Sequence, residues 1–328
     1  MQYDFVSFGD ITTDCFIKLK EASVNCDINH NNCMLCVKFG QKIPFESATE
    51  ILAVGNAANA AVSASRIGLI SALVTNIGDD KNGEDCLRTL KEQGVATEFV
   101  RAHKGMRTNY HYVLQYDAER TILVKHEKYE RIMPVFETPP KWFYLTSLGG
   151  ETADFQIAIA KYAKNNNVRL AFQPGTFQIK MGKEVLAAVY RATEVLFCNK
   201  EESQQILQTQ ESDIKKLLAG LRELGPAIVV ITYGVNGAYF MDNSGVYIAP
   251  MYPDPSPPVN RTGAGDATSS GMIAFIGLGL STKDALLRGM IDSASVVQHV
   301  GAQAGLLTRE KIEEWYAKRP ADFEVRKI

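Results

Sequence analysis

Six continuous apolar runs constrain this chain more than any other feature. YDFVSFGDI, SALVTNIG, KWFYLTSLGG, VRLAFQPG, TEVLFCNKEE and AIVVITYGVNG each stop at a Gly, Asn or Pro. A strand with one wet face alternates polar and apolar residues, so unbroken runs predict strands buried on both faces. Amphipathic stretches separate them: NAANAAVSASRIGL, GEDCLRTLKEQGV, TADFQIAIAKYAKNNN, GKEVLAAVYRAT and SDIKKLLAGLRELG. The alternation predicts right-handed crossovers and a mainly parallel sheet between two helical layers, a three-layer α/β/α sandwich.

Two stretches break the pattern. Residues 11–53 hold no convincing helix, and residues 99–127 read as two polar-apolar strands around a turn at Asp117 and Ala118. Both are assigned to a small separate β-lid, leaving 1–10, 54–98 and 128–328 to a large α/β nucleotide-binding and catalytic domain. At 328 residues, one large core with an appendage is reasonable.

A charged fraction of 22% and a net charge of −2 give no single-sign field of the kind a nucleic-acid partner attracts. A small-molecule ligand is expected. The N-terminus MQYDFVSFGD lacks a basic segment leading into an apolar one, and no stretch is apolar for long enough to span a bilayer, so a cytoplasmic protein without a membrane partner is expected. Cys26, Cys33 and Cys36 crowd around His30. Their spacing fits no standard zinc pattern well, and free or partly buried thiols in a reducing compartment are preferred to a metal site.

In an open α/β sheet, ligands bind beyond the carboxyl ends of the strands. The densest chemistry there is Asn260-Arg261-Thr262-Gly263-Ala264-Gly265-Asp266, followed by an apolar helical pattern. Small residues at 263–265 let a phosphate approach the backbone, and the helix start offers N–H groups and a positive dipole end. Asp266 is placed to take the proton of an attacking hydroxyl. The alternative at this point is an acid that merely stabilises a helix start.

This segment resembles the D-T-x-G-A-G-D signature of the ribokinase or PfkB family of carbohydrate kinases, and the resemblance extends over nearly the whole chain. Gly9 and Asp14 fall where that family has its first strand and a sugar-binding acid. Val54-Gly55-Asn56-Ala57-Ala58-Asn59 resembles its G-G-N-x-x-N loop, and TNIGDDKNGEDCLRTLKEQGV its Gly-Asp, Gly, helix and Gly-Val run. Asn199-Lys200-Glu201-Glu202 matches its N-x-x-E motif, and Thr232-Tyr233-Gly234 with Gly237 its nucleotide turn.

The resemblance implies ATP-dependent, Mg²⁺-assisted phosphorylation of a hydroxyl of a small sugar or nucleoside. Asp266 acts as general base beside Gly263, Ala264 and Gly265; Asp14, Gly55, Asn56 and Asn59 bind the acceptor. Asn199, Thr232, Gly234 and Gly237 serve the nucleotide, and Glu202 holds water on Mg²⁺. Asn56 and Asn199 also read as helix caps. The resemblance further permits a homodimer paired through the lid.

Three departures carry consequences. Val54 replaces a glycine of the sugar loop. Asn260 stands where an Asp linked to a monovalent-cation site is usual, which puts potassium activation in doubt. Gln173-Pro174-Gly175 replaces the more usual Asp-Pro-Asn, exchanging a carboxylate near the phosphates for an amide.

Acceptor identity stays open between two features. Alternate residues of Tyr110, His111 and Tyr112 can present an aromatic face or imidazole to a nucleoside base, or pack within the lid. Lys104, Arg107 and Arg120 can serve a phosphosugar. A ligand-binding protein that keeps the kinase fold without turnover is the remaining alternative.

Overall fold

The six apolar runs become adjacent parallel strands. The computed structural model describes residues 2–27, 33–116 and 119–328. Phe5–Phe8 lies between Ser71–Gly78 and Trp142–Leu145, and Arg169–Phe172, Val195–Asn199 and Ile228–Thr232 continue the sheet outward. Phe5–Phe8, Ser71–Gly78 and Trp142–Leu145 are buried at every position, which is why their sequences do not alternate.

Beyond Ile228–Thr232 the sheet turns antiparallel through Ala238–Asp242, Gly245–Ala249 and Arg326–Lys327. The first two are half-buried and the last is exposed, so their sequences lack the unbroken apolar signal. One face of the sheet packs under Asn56–Arg66, Ala264–Gly277 and Thr282–Val296, with Trp142, Tyr144, Phe240 and Phe275 in its core. Ala153–Asn165 and Ile214–Glu223 cover the other, over Phe8, Phe143, Phe172 and Tyr190. The expected three layers are present. Among the described residues no helix is long and apolar enough to cross a membrane.

A second sheet runs in the order Phe45–Val54, Thr12–Leu19, Tyr110–Tyr116, Glu119–Leu123. It stands over the carboxyl ends of the central strands because Thr12–Leu19 starts four residues after Phe5–Phe8 ends. The strand Val100–His103, expected in this small sheet, pairs instead with Ser71–Gly78 at the edge of the large one. Asp80 secures that neighbourhood: its carboxylate accepts from Gly83 N at 2.9 Å, capping Lys81–Glu92, and from Thr108 N at 3.0 Å. Tyr112 and Leu123, directly opposite each other on the small sheet, are exposed. The turn at Asp117 and Ala118, like His30, lies outside the described residues.

The expectation of free thiols is corrected at two positions. Cys26 and Cys33 form a disulfide, while Cys15, Cys36, Cys86 and Cys198 are free. The paired cysteines are seven positions apart in sequence, and they close the connection between Ser23–Asn25 and Met34–Cys36. A paired sulfur has no thiolate to offer a metal, and the described residues contain no cluster of three or more His, Cys, Asp or Glu side chains able to hold one. Alkylation of denatured, unreduced protein, read by mass spectrometry, is expected to label four of the six cysteines. Labelling of all six would overturn the pairing.

Candidate active site

Two cavities meet at the start of the helix Ala264–Gly277. The larger, about 570 Å³, lies between the small sheet and the ends of the central strands; Asp14, Gly55, Asn56, Asn59, Glu202, Gly263, Gly265 and Asp266 line it. The smaller, about 140 Å³, is lined by Thr232, Gly234, Gly237, Ala264, Gly265 and Thr268, with Met251, Met290 and Val297 as an apolar wall. Arg261 and Gly265 border both. Asp14, Gly55, Asn56 and Asn59 thus line one cavity and Thr232, Gly234 and Gly237 the other, while Asn199, expected beside the nucleotide, lines neither.

The loop before the helix has its own local logic. Gly263 takes φ +86°, where a side chain is strained, and a Cβ there would stand 2.4 Å from Ala302 Cβ. Its glycine is needed for the turn and for packing as well as for any ligand. Gly55 is similar, at φ +106° with a notional Cβ 2.6 Å from Asp10 O. Val54, the departure beside it, is buried and lines the larger cavity, its backbone in register with Thr12.

Asp266 is almost wholly buried in the first turn of the helix. Its Oδ1 accepts from Asn56 Nδ2 at 2.9 Å and Gln173 Nε2 at 3.1 Å, and its Oδ2 from Asn59 Nδ2 at 2.8 Å. Burial pushes its carboxyl above the usual range, and the amides of Asn59, Gln173 and Asn56 pull it partly back. Asn56 and Asn59, expected to meet the acceptor, are instead hydrogen-bonded to Asp266. Asn59 is anchored in turn by Gln303, whose Nε2 donates to its Oδ1 at 3.0 Å.

Asn199 caps the helix Lys200–Leu207: its Oδ1 accepts from Glu202 N at 2.7 Å, and Glu202 Oε2 accepts from Asn199 N at 2.8 Å. Burial, foremost, raises the Glu202 carboxyl; Asp266 and Glu201 add to this, against the Asn199 backbone bond. A hydrated cation beside Glu202 would offset both the burial and the repulsion. Glu202 thus suits Mg²⁺ held through water, as the sequence implies. Asn260 turns its Oδ1 to Thr262 N at 2.7 Å, a neutral contact where the family pattern has a carboxylate.

Sequence reading missed a second polar group at the other end of the larger cavity. Asp10, which follows the first strand, receives Arg131 Nη2 on Oδ1 at 2.5 Å and Gly149 N on Oδ2 at 2.8 Å. His126 Nδ1 stands 3.2 Å from Oδ2 but out of line for a hydrogen bond. Arg131 lies in a segment with no regular structure, 121 residues from Asp10, and no local pattern joins the two.

His111 faces the same cavity from the small sheet, its Nδ1 3.4 Å from Asp14 Oδ1. Tyr110 and Tyr112 point the other way and pack on each other at 5.1 Å. Of the basic residues proposed for a phosphosugar, Arg120 reaches this cavity, Arg107 lines a different one, and Lys104 lines neither.

Comparison with known proteins decides the family. Residues 23–309 match the model of the pfkB family carbohydrate kinases. The chain belongs to that family. As a PfkB kinase it is a phosphotransferase acting on hydroxyl groups, with ATP as donor and a sugar or nucleoside as acceptor class.

The PfkB assignment agrees with individual relatives. The chain is 25% identical over 268 residues to a ribokinase of Bacillus subtilis, covering 79% of this chain and 86% of that one. To a nucleoside kinase of Methanothermobacter thermautotrophicus it is 26% identical over 255 residues, 77% of this chain and 80% of that one. Among solved structures, Arabidopsis thaliana ribokinase complexed with ribose and ATP superposes with a TM-score of 0.78 at 18% identity, over 96% of this chain and 98% of that one. The likeness in structure confirms the ribokinase-like fold.

Proposed function

We propose that this PfkB kinase transfers the γ-phosphoryl group of ATP to a hydroxyl of an uncharged sugar or nucleoside, with Asp266 as general base. The observation that carries the reading is the position of Asp266 in the larger cavity, one residue from Gly265, where that cavity meets the smaller. ATP lies with its base along Met251, Met290 and Val297, near Thr232, Gly234 and Gly237. Its γ-phosphate reaches the N–H groups and positive dipole end at Gly263–Gly265. The acceptor fills the larger cavity.

The acceptor oxygen attacks the γ-phosphorus while its proton passes to Asp266. The bond from γ-phosphorus to the bridging oxygen breaks, and ADP leaves with that electron pair. Glu202 would hold a hydrated Mg²⁺, which when bound would supply charge neutralisation on the phosphates. Rate enhancement comes from in-line positioning, dipoles aimed at the transferring group, and proton removal. The small sheet serves as a lid that keeps water from the γ-phosphate.

Charge favours a neutral acceptor over a phosphosugar. Asp10, Asp14, Asp266 and Glu202 surround the larger cavity, whereas its arginines, Arg120 and Arg261, are exposed. Asp14 Oδ1, His111 Nε2 and His126 Nδ1 are buried there without a hydrogen-bond partner. Hydroxyls or a base edge satisfy such atoms; a phosphate against Asp10 and Asp14 does not. Phe16, Ile122 and Phe177 complete an apolar wall for a sugar face or a base.

A panel of pentoses, hexoses, nucleosides and their monophosphates, followed by ADP release, tests this. Turnover on uncharged acceptors and little on their phosphates is expected. Preferred turnover of a phosphosugar would overturn the acceptor assignment, and ATP binding without turnover of any acceptor would favour the ligand-binding alternative.

A further inference from the structure

We propose that Gln173, locked in one orientation by Tyr144 and Ser269, is a positioning residue for Asp266 and leaves Oδ2 as the oxygen that receives the acceptor's proton. The proposal rests on the reading of Asp266 as the base.

Gln173 directly follows the strand Arg169–Phe172, and its backbone is pinned on both sides. Its N–H donates to Leu145 O at 2.9 Å, and Thr146 Oγ1 donates to its carbonyl at 2.9 Å. The side chain is pinned as well. Tyr144, fully buried, donates its hydroxyl to Gln173 Oε1 at 2.5 Å; Ser269 Oγ stands 2.6 Å from the tyrosine oxygen and 3.3 Å from Gln173 Oε1. A tyrosine hydroxyl in a dry core needs a partner, so the amide oxygen is drawn to that side. Nε2 then points at Asp266 Oδ1, 3.1 Å away. The flipped amide would set its oxygen against the carboxylate and leave both neighbours worse off.

This gives the departure at position 173 a chemical consequence. An Asp or Glu there would add negative charge next to a buried carboxylate and favour its protonation. The amide instead donates a hydrogen bond to the ionised form.

Lone pairs also separate the two oxygens of Asp266. Each carboxylate oxygen accommodates about two donors. Oδ1 accepts from Asn56 and Gln173, Oδ2 from Asn59 alone. The uncommitted site is therefore on Oδ2.

Other titratable or charged groups around the base are few. Tyr144 and Glu202 interact with it electrostatically, and Asp10, Asp14, His111, His126, Arg120 and Arg261 line the same cavity. Burial holds the Tyr144 hydroxyl well above its ordinary range, so it stays a donor throughout a working pH range.

Two near-isosteric variants test the lock, Gln173→Glu and Tyr144→Phe. One readout is the carboxyl titration of Asp266 in protein labelled with ¹³C-aspartate, assigned by its loss in Asp266→Asn. The other is the acid limb of kcat against pH. Both are expected to move to higher pH in both variants, by about one to two pH units for Gln173→Glu and less for Tyr144→Phe. Ordered in this way, the shifts support the lock.

A uniform fall in kcat with limb and titration unmoved would make Gln173 merely structural and overturn the proposal. A limb that moves without the Asp266 titration would overturn it too. A titration that moves without the limb would sustain the lock and remove Asp266 as the base, which separates failure of the functional reading from failure of this inference. If Tyr144→Phe loosens the core, Gln173→Glu decides alone.

Discussion

Asp266→Asn is expected to lower turnover on the best acceptor by about a hundred- to ten-thousand-fold, the usual contribution of a positioned base. ATP affinity should change little, because Asp266 lines the larger cavity, proposed for the acceptor, and not the smaller one with Thr232, Gly234 and Gly237. The wild-type acid limb should lie above the ordinary aspartate range, since burial raises this carboxyl despite its three amide donors. The variant's residual activity should lack that limb.

Loss of folding is a separate matter. Asn at 266 presents an NH₂ to a site built from the amide donors of Asn56, Asn59 and Gln173, so one of them must turn away. A lowered thermal midpoint with unchanged ATP binding would still fit. Near-normal kcat in folded protein would remove Asp266 from the proposed role.

The large sheet was legible because burial on both faces forbids alternation. Residues 71–78 and 142–145 read as strands for the same reason that they lie at the centre. The antiparallel strand Ala238–Asp242, half-buried, carries no such signal. Val100–His103 fell within the lid range only by position: with its four residues partly exposed, it carries no unbroken apolar signal to mark it as a strand of the large sheet. The Cys26–Cys33 pair was read as thiols because a reducing compartment was expected, an inference about surroundings that no residue in the segment encodes.

The site divides along similar lines. Asp266, Gly263 and Gly265 are contiguous, so a local motif reveals them. Gln173 was noticed as a departure, yet its contact with Asp266 spans 93 residues and its lock through Tyr144 another 29. Asn56 was read both as a cap and as an acceptor ligand, and Asn59 as an acceptor ligand; their bonds to Asp266 emerge only when two helices pack. Asp10 was passed over as the polar end of a strand, since its partner comes from an irregular segment.

That partner should matter most for stability. Arg131→Met is expected to destabilise the fold by about 3–5 kcal/mol, the cost of leaving a buried carboxylate without its cation. The side chains of Arg131 and Asp10 are only 7% and 6% exposed, so water does not screen the loss. The effect should depend on pH. Burial alone would raise the Asp10 carboxyl, but the nearby His126 and Arg131 together hold it below its ordinary value of 3.8. A carboxyl lowered in the folded state contributes stability that is present above the unfolded value and lost as pH falls through the folded one. Urea midpoints for the two proteins should therefore differ most near neutrality and converge as pH falls through the folded value, below 3.8, where Asp10 becomes neutral and no longer needs the guanidinium. Because Asp10 lines the acceptor cavity, the KM for acceptor should rise more than that for ATP. A difference under about 1 kcal/mol, the range of exposed pairs, or one that stays constant to pH 3, would show that the ion pair contributes little and that the cavity end holds its shape by packing alone.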